Sequence, residues 1–175
     1  MRLFIGLRLP EDALAHLEDW QRAVFADVRD VRVAPRANVH VTLAFLGHRP
    51  GGELDGIAQS LREAAAGAIP PALAVRGYRE TRSVGMLVFS DEDGRAAALA
   101  GDLHERLEAL GVYEREKRPW LPHATVLRFR RQPRLRPPLP DLGEVSPSEA
   151  AVYHSLLRRG GAQYEALETV RLGGG

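Results

Sequence analysis

The tetrapeptide His40-Val41-Thr42-Leu43 recurs as His123-Ala124-Thr125-Val126, 83 residues further along a chain of 175. Each copy lies in an apolar run bounded by turn formers, so each reads as a β-strand. Successive strand side chains point to opposite faces. His40 therefore shares a face with Thr42, and His123 with Thr125, while Val41, Leu43, Ala124 and Val126 face the other way. A chain that presents the same imidazole and hydroxyl from two strands about half its length apart is expected to fold as two similar packets, one around each strand.

The rest of the pattern agrees. Leu3, Ile5, Leu7 and Leu9 alternate through a strand over 2–9, and Glu11-Asp12 open a helix that runs to about 26. A short strand is expected over 31–34, the first motif strand over 39–46 ending at Gly47, and a helix over 54–68 broken by Pro70-Pro71. Strands over 73–78 and 84–90 come next. Asp91 to Gly94 cap a helix over 95–110, which Gly111 ends. Pro119 and Pro122 hold the approach to the second motif strand, over 124–129, in extended form. A proline-rich surface loop covers 131–147, strands over 150–157 and 164–172 close the chain, and 173–175 are expected to be a disordered tail. Packets of helices and strands without strict alternation predict an α+β fold with antiparallel sheets.

With 45% hydrophobic and 27% charged residues, the chain can bury a core and keep a soluble surface, and its length fits one domain over 1–175. It contains no cysteine, which excludes disulfides, thiolate metal sites and a cysteine nucleophile. No apolar run approaches the roughly 20 residues that span a bilayer. The N-terminus passes directly from Leu7 to Arg8, Pro10 and Glu11, without the apolar core of a signal peptide. The expectation is a cytoplasmic monomer with no membrane partner. Residues 115–136 hold seven Arg, one Lys and one Glu, against a net charge of +1 for the whole chain. Such a basic segment suits either an anionic ligand or a solvated loop.

Two imidazoles facing one cleft suit general acid–base catalysis, because near neutral pH one can accept a proton while the other donates one. In-line opening of a cyclic phosphodiester needs both roles: water is deprotonated on one side and the departing sugar oxygen protonated on the other. The Thr42 and Thr125 hydroxyls can donate to non-bridging phosphate oxygens. That chemistry needs no metal or cofactor, and the sequence offers no evident metal cluster. His16, His48, His104 and His154 lie outside the motifs and read as structural or exposed.

These residues resemble the 2H phosphoesterase superfamily, and within it the LigT-like RNA 2',3'-cyclic phosphodiesterases, historically called 2'-5' RNA ligases. The resemblance spans nearly the whole chain. It is carried by Arg2-Leu3-Phe4-Ile5-Gly6-Leu7, by Asn38-Val39-His40-Val41-Thr42-Leu43-Ala44-Phe45-Leu46-Gly47, by Arg118-Pro119-Trp120-Leu121-Pro122-His123-Ala124-Thr125-Val126-Leu127-Arg128, and by the closing stretch from Tyr153-His154-Ser155 to Leu167. It implies a two-lobed fold with duplicated antiparallel sheets, helices outside and a central cleft. It also implies hydrolysis of RNA 2',3'-cyclic phosphate ends to 2'-phosphomonoesters, with reversible 2'-5' ligation as a side activity. His40 would be the proton donor, His123 the proton acceptor, and Arg128 a phosphate contact beside Thr42 and Thr125. Phe45 and Trp120 are candidates to stack on a base. Strict alternation, however, puts Phe45 and Arg128 on the faces opposite His40 and His123, so only a bulge or twist would turn Arg128 inward. Ala124 replaces a larger aliphatic and Trp120 a phenylalanine usual in the family. The alternatives are a 2H phosphodiesterase acting on 2'-5' oligonucleotides or small cyclic nucleotide phosphates, and a non-catalytic RNA-end binding protein.

Overall fold

The computed structural model describes residues 1–174. Its strands and helices run in the order β1 (Arg2–Arg8), α1 (Glu11–Phe25), β2 (Val31–Val33), β3 (His40–His48), α2 (Leu54–Ala66), β4 (Ala74–Glu80), β5 (Val84–Ser90), α3 (Arg95–Ala109), β6 (His123–Phe129), β7 (Glu149–Arg158) and β8 (Gly161–Arg171). They form two antiparallel four-stranded sheets, in the orders β3-β1-β7-β8 and β2-β6-β5-β4. This is the expected α+β class, with one His-x-Thr strand in each sheet.

The two sheets are not the two halves of the chain. β1 pairs with β7 through the register Leu3 to His154 and Arg8 to Glu149, so the first sheet joins both ends of the sequence. β2 crosses the other way and pairs with β6, Arg32 opposite Arg128. The central position of β1 explains its composition. Leu3, Ile5 and Leu7 fill the core on one face, while Phe4 is also buried, on the other. Each such apolar side chain contributes about 1.5–3 kcal/mol by leaving water.

α1 covers the second sheet. Its buried stripe is Ala13, Leu17, Gln21 and Phe25, at helical spacing, and the Phe25 ring lies 6.4 Å from that of Tyr78 on β4. α2 and α3 pack on each other and on the first sheet, α2 against β7 and β8 and α3 against β3. Asp91 caps α3: its carboxylate accepts from the Ala96 and Ala97 N–H groups at 3.1 and 2.9 Å, where the helix dipole favours negative charge. No helix among the described residues is long and apolar enough to cross a membrane.

The proline-rich loop lies along the second sheet. The Glu80 carboxylate accepts from the Arg134 and Leu135 N–H groups, the Trp20 indole donates to Pro138 O at 2.8 Å, and Leu73 and Val145 exchange backbone bonds. The basic segment is dispersed by this path. Arg115 pairs with Glu108 and Arg118 with Glu116, and of the segment's cations Arg128 alone lines the central cleft. At the end of the chain, the Gly173 N–H donates to Ala65 O at 2.8 Å, so the expected loose tail is tethered at its first residue. Gly175 lies outside the described residues.

Candidate active site

β3 and β6 meet where the two sheets face each other, and a cleft of about 180 Å³ opens between them. His40, Thr42, His123 and Thr125 all line it, as do Arg32, Arg128, Phe45 and Tyr164. The four motif side chains therefore share one cavity, as alternation along the two strands predicts.

Alternation then breaks at the same place in both strands. In β3, Thr42 is opposite Gly6 and Ala44 opposite Ile5, leaving Leu43 without a partner on β1. In β6, Thr125 is opposite Met86 and Leu127 opposite Gly85, leaving Val126 without a partner on β5. Each extra residue is the third after its histidine. Each bulge reverses the facing of the residues beyond it. Leu43 and Ala44 are both buried, as are Val126 and Leu127, whereas Phe45 is 52% exposed and Arg128 is exposed. The fifth residue after each histidine thus turns into the cleft: Phe45 from one sheet, Arg128 from the other. The bulge that Arg128 requires is present, and its twin moves Phe45 off the core face that strict alternation assigns to it.

Both imidazoles are held the same way. His40 Nδ1 lies 2.8 Å from Asn38 O and His123 Nδ1 lies 2.9 Å from Leu121 O. A carbonyl only accepts, so each Nδ1 carries its proton and donates it, which leaves Nε2 as the working nitrogen of each neutral ring. His40 Nε2 accepts from the Thr42 hydroxyl at 2.9 Å.

The surroundings of His40 are aromatic. Phe4 stacks on it with centroids 4.7 Å apart, and Tyr164 meets it edge-on at 5.5 Å. Tyr153 stacks in turn on Phe4 at 4.9 Å. Gly6 makes room for the ring, since a Cβ there would stand 2.9 Å from His40 Cδ2. This desolvation lowers the His40 pKa to about 4; the bond to Asn38 works against it, and the positive charges of His123 and Arg128 add to it. In the empty cleft at neutral pH, His40 is therefore neutral with its lone pair on Nε2.

Arg32 is a cleft residue that sequence reasoning missed. It is the register partner of Arg128. Neither guanidinium forms an ion pair among the described residues, whereas Arg8, Arg36, Arg62 and Arg106, among others, do. Like charges directly across a strand pair repel, so an anion lying between these two would relieve a built-in strain. Arg32 also reaches Gly160 O at 3.5 Å, and Asn38 Nδ2 donates to Ala162 O at 2.9 Å. These bonds draw the β7–β8 hairpin tip over the cleft as its wall. Phe4, Tyr164 and Asn38 were equally unassigned; the signal for Phe4 was its place on the non-core face of an otherwise clean alternation.

Trp120 departs from expectation. It packs against the core, its indole N–H donates to Thr42 O at 3.1 Å, and it does not line the cleft. Its ring serves as a tether for the unpaired edge of β3 rather than as a stacking surface. Phe45 lies at the cleft, with the Arg2 guanidinium 5.2 Å from its ring centroid.

A family model described as LigT-like phosphoesterase matches residues 7–83. Over nearly its full length the chain is similar in structure to TT0787 of Thermus thermophilus, at 29% identity, with 99% of each chain covered and a TM-score of 0.85. It is similar to E. coli LigT complexed with NADP+, at 25% identity, covering 98% of this chain and 96% of that one, with a TM-score of 0.79. The fold also matches E. coli LigT complexed with 3'-AMP, at 24% identity, covering 98% and 97%, with a TM-score of 0.83. No curated protein matches the sequence significantly.

Proposed function

We propose that this chain, a LigT-like phosphoesterase by family match and by fold, is a two-histidine phosphodiesterase that opens the 2',3'-cyclic phosphate of an RNA end to a 2'-phosphomonoester. The observation that carries the reading is the matched pair of imidazoles, each fixed at Nδ1 by the carbonyl two residues back, each with Nε2 available at one cleft. An in-line displacement needs a proton carrier on either side of phosphorus, and this arrangement supplies both from rigid strands. The proposed unit is a single two-lobed domain working as a cytoplasmic monomer.

In the step proposed, His123 Nε2 takes a proton from water as the water oxygen bonds to phosphorus. The bond from phosphorus to the ribose O3' breaks, and O3' takes a proton from His40 Nε2. The product keeps the phosphate on O2', and the proton gained by His123 returns through solvent to His40. Thr42, Thr125, Arg128 and Arg32 hold the non-bridging oxygens, where charge develops. His40 must be charged before it can donate. A phosphodiester anion entering the cleft favours that, by opposing the desolvation that keeps the empty ring neutral. Binding of nucleotide ligands by E. coli LigT, with 3'-AMP and NADP+, agrees with a cleft that takes the sugar and phosphate while the base rests at Phe45. The same step with a ribose 5'-hydroxyl in place of water would give a 2'-5' linkage, and its reversal would cleave that linkage back to the cyclic phosphate.

One observation favours the opposite division of labour. The low pKa of His40 gives it the protonation state of a base at neutral pH, with His123 then donating to O3'. The test of the reaction itself is incubation with an RNA ending in a 2',3'-cyclic phosphate, with and without EDTA. The expected result is a 2'-phosphate product in both, lost in His40→Ala and in His123→Ala. Activity that survives without either imidazole, or that EDTA abolishes, overturns the mechanism.

A further inference from the structure

The two bulges raise a question of hydrogen bonding. A residue extruded from a ladder leaves its backbone groups without strand partners, and a buried carbonyl left unpaired is costly. Leu43 and Val126 are both buried. Their carbonyls are each met by a buried polar side chain arriving from a helix, which for Val126 joins the Ala34 N–H already donating to the same oxygen at 3.0 Å. From α3, His104 Nε2 donates to Leu43 O at 2.7 Å. From α1, Gln21 Nε2 donates to Val126 O at 2.9 Å and to Ala34 O at 3.2 Å.

Polar residues are rare in this core. Among the described residues, Gln21, Ser60 and His104 are the buried polar or charged side chains. Ser60 bonds to Gly56 O within its own helix, as serines in helices commonly do. The other two, on different helices and different sheets, each grip the residue three positions after a cleft histidine. Burying an amide and an imidazole in apolar stripes is unfavourable unless their bonds are made, and an apolar residue at either position would fill the space equally well. Their common feature is the bulge.

We infer that Gln21 and His104 are positioning residues, which fix the Val126 and Leu43 bulges and thereby hold Arg128 and Phe45 in the cleft beside the histidines. The inference rests on the phosphoester reading of that cleft. Without the bulge, the residue turned into the cleft would be Leu127 or Ala44, and Arg128 or Phe45 would point to the core. Gln21 thus acts on phosphate affinity through Arg128, and His104 acts on the nucleoside through Phe45. The histidines precede both bulges, so their placement does not depend on either clamp.

The test is a pair of double-mutant cycles, because a merely structural role would add its losses to those of any other variant. Gln21→Met keeps the volume and removes the donor, whereas Gln21→His keeps one. With inorganic phosphate as probe, Gln21→Met is expected to weaken binding roughly tenfold in the wild-type background, and by less than about twofold when Arg128 is already alanine. Gln21→His should recover part of the loss. In turnover, KM rises while kcat stays within about threefold, since the imidazoles are untouched. For the other clamp, His104→Phe should weaken adenosine 2'-phosphate, spare inorganic phosphate, and lose its effect in the Phe45→Ala background. Equal losses of phosphate affinity in both Arg128 backgrounds overturn the inference. So does a crystal structure of Gln21→Met in which the Val126 bulge and Arg128 keep their places, a result that decides the matter even if the wild-type protein binds no phosphate. Phosphate binding without hydrolysis of any cyclic phosphate would instead count against the proposed reaction and leave the clamp standing.

Discussion

Phe4 lies flat on His40, with ring centroids 4.7 Å apart and planes 24° from parallel. The contact joins the central strand of the first sheet to the motif histidine on its neighbour, and it removes water from one whole side of the imidazole. That makes His40 an acid-labile element of the fold. An unfolded histidine takes its proton near pH 6.5, whereas His40 in place does so only near 4. Between those values the unfolded chain binds the extra proton, so stability falls as pH falls through that window and is fully present above it. The gap corresponds to about 3 kcal/mol at 1.36 kcal/mol per pKa unit. Urea unfolding between pH 7 and 4 should show that dependence in the wild-type protein and much less of it in His40→Gln. Parallel curves for the two proteins would contradict the assignment.

Opening the stack should release the imidazole. In Phe4→Leu, water regains one face of the ring and the His40 pKa moves up toward 6.5. An NMR titration of the histidine ring protons reads this directly, and the acidic limb of the kcat/KM profile should move with it. A His40 resonance that titrates near 4 in the variant would show that the other neighbours, not Phe4, keep the ring dry.

Gly6 leaves no room for a side chain. A Cβ there would sit 2.9 Å from His40 Cδ2 and 3.2 Å from Val41 O, so Gly6→Ala must push the imidazole off its line toward the cleft. Misplacing a proton carrier by a fraction of an ångström to an ångström costs on the order of 10- to 100-fold in kcat. Thermal unfolding should fall only slightly, which distinguishes a displaced ring from a damaged sheet.

Removing either cleft arginine should weaken substrate binding in a salt-dependent way. Charge-assisted bonds to phosphate contribute about 1.5–3 kcal/mol each, so Arg128→Ala is expected to raise KM by roughly 10- to 100-fold with the larger part lost at low salt. Arg32→Ala should act in the same direction. Steady-state kinetics at two ionic strengths checks both. An unchanged KM for Arg32→Ala would mean that its guanidinium serves the β7–β8 hairpin through Gly160 O and not the ligand.

What the sequence reveals and what it hides divide along one physical line. Strands, helices and the shared facing of His40 with Thr42 and of His123 with Thr125 arise from local periodicity, and the structure has their ends within two residues except at the last strand, which starts three residues earlier than expected, at Gly161. The bulges do not follow from period-two alternation. The one in β6 leaves a trace, the doublet Val126-Leu127 where alternation asks for one apolar residue, and reading it would have turned Arg128 inward; in β3 the apolar run Leu43-Ala44-Phe45-Leu46 hides its twin. Gln21 is legible in the same sense, as a polar residue in the stripe Ala13, Leu17, Phe25. The aromatic surroundings of His40 were hidden because Tyr153 and Tyr164 reach it through strand pairings more than a hundred residues apart in sequence. The basic segment left two readings open for a related reason. Charge count along a chain does not say which side of a sheet a loop will cross, and of those cations only Arg128 lines the cleft.

The pairing of β1 with β7 has a consequence in time as well as in space. During synthesis both histidines emerge before residue 149, yet His40 cannot acquire its dry surroundings until Tyr153 and Tyr164 arrive and the last hairpin folds over the cleft. Until then, Leu3, Ile5 and Leu7 belong to a strand with one edge open, and contacts of such long sequence separation form slowly. The dry surroundings of His40 are thus completed only with the β7–β8 hairpin, and a chain halted short of that hairpin would carry every motif residue without them.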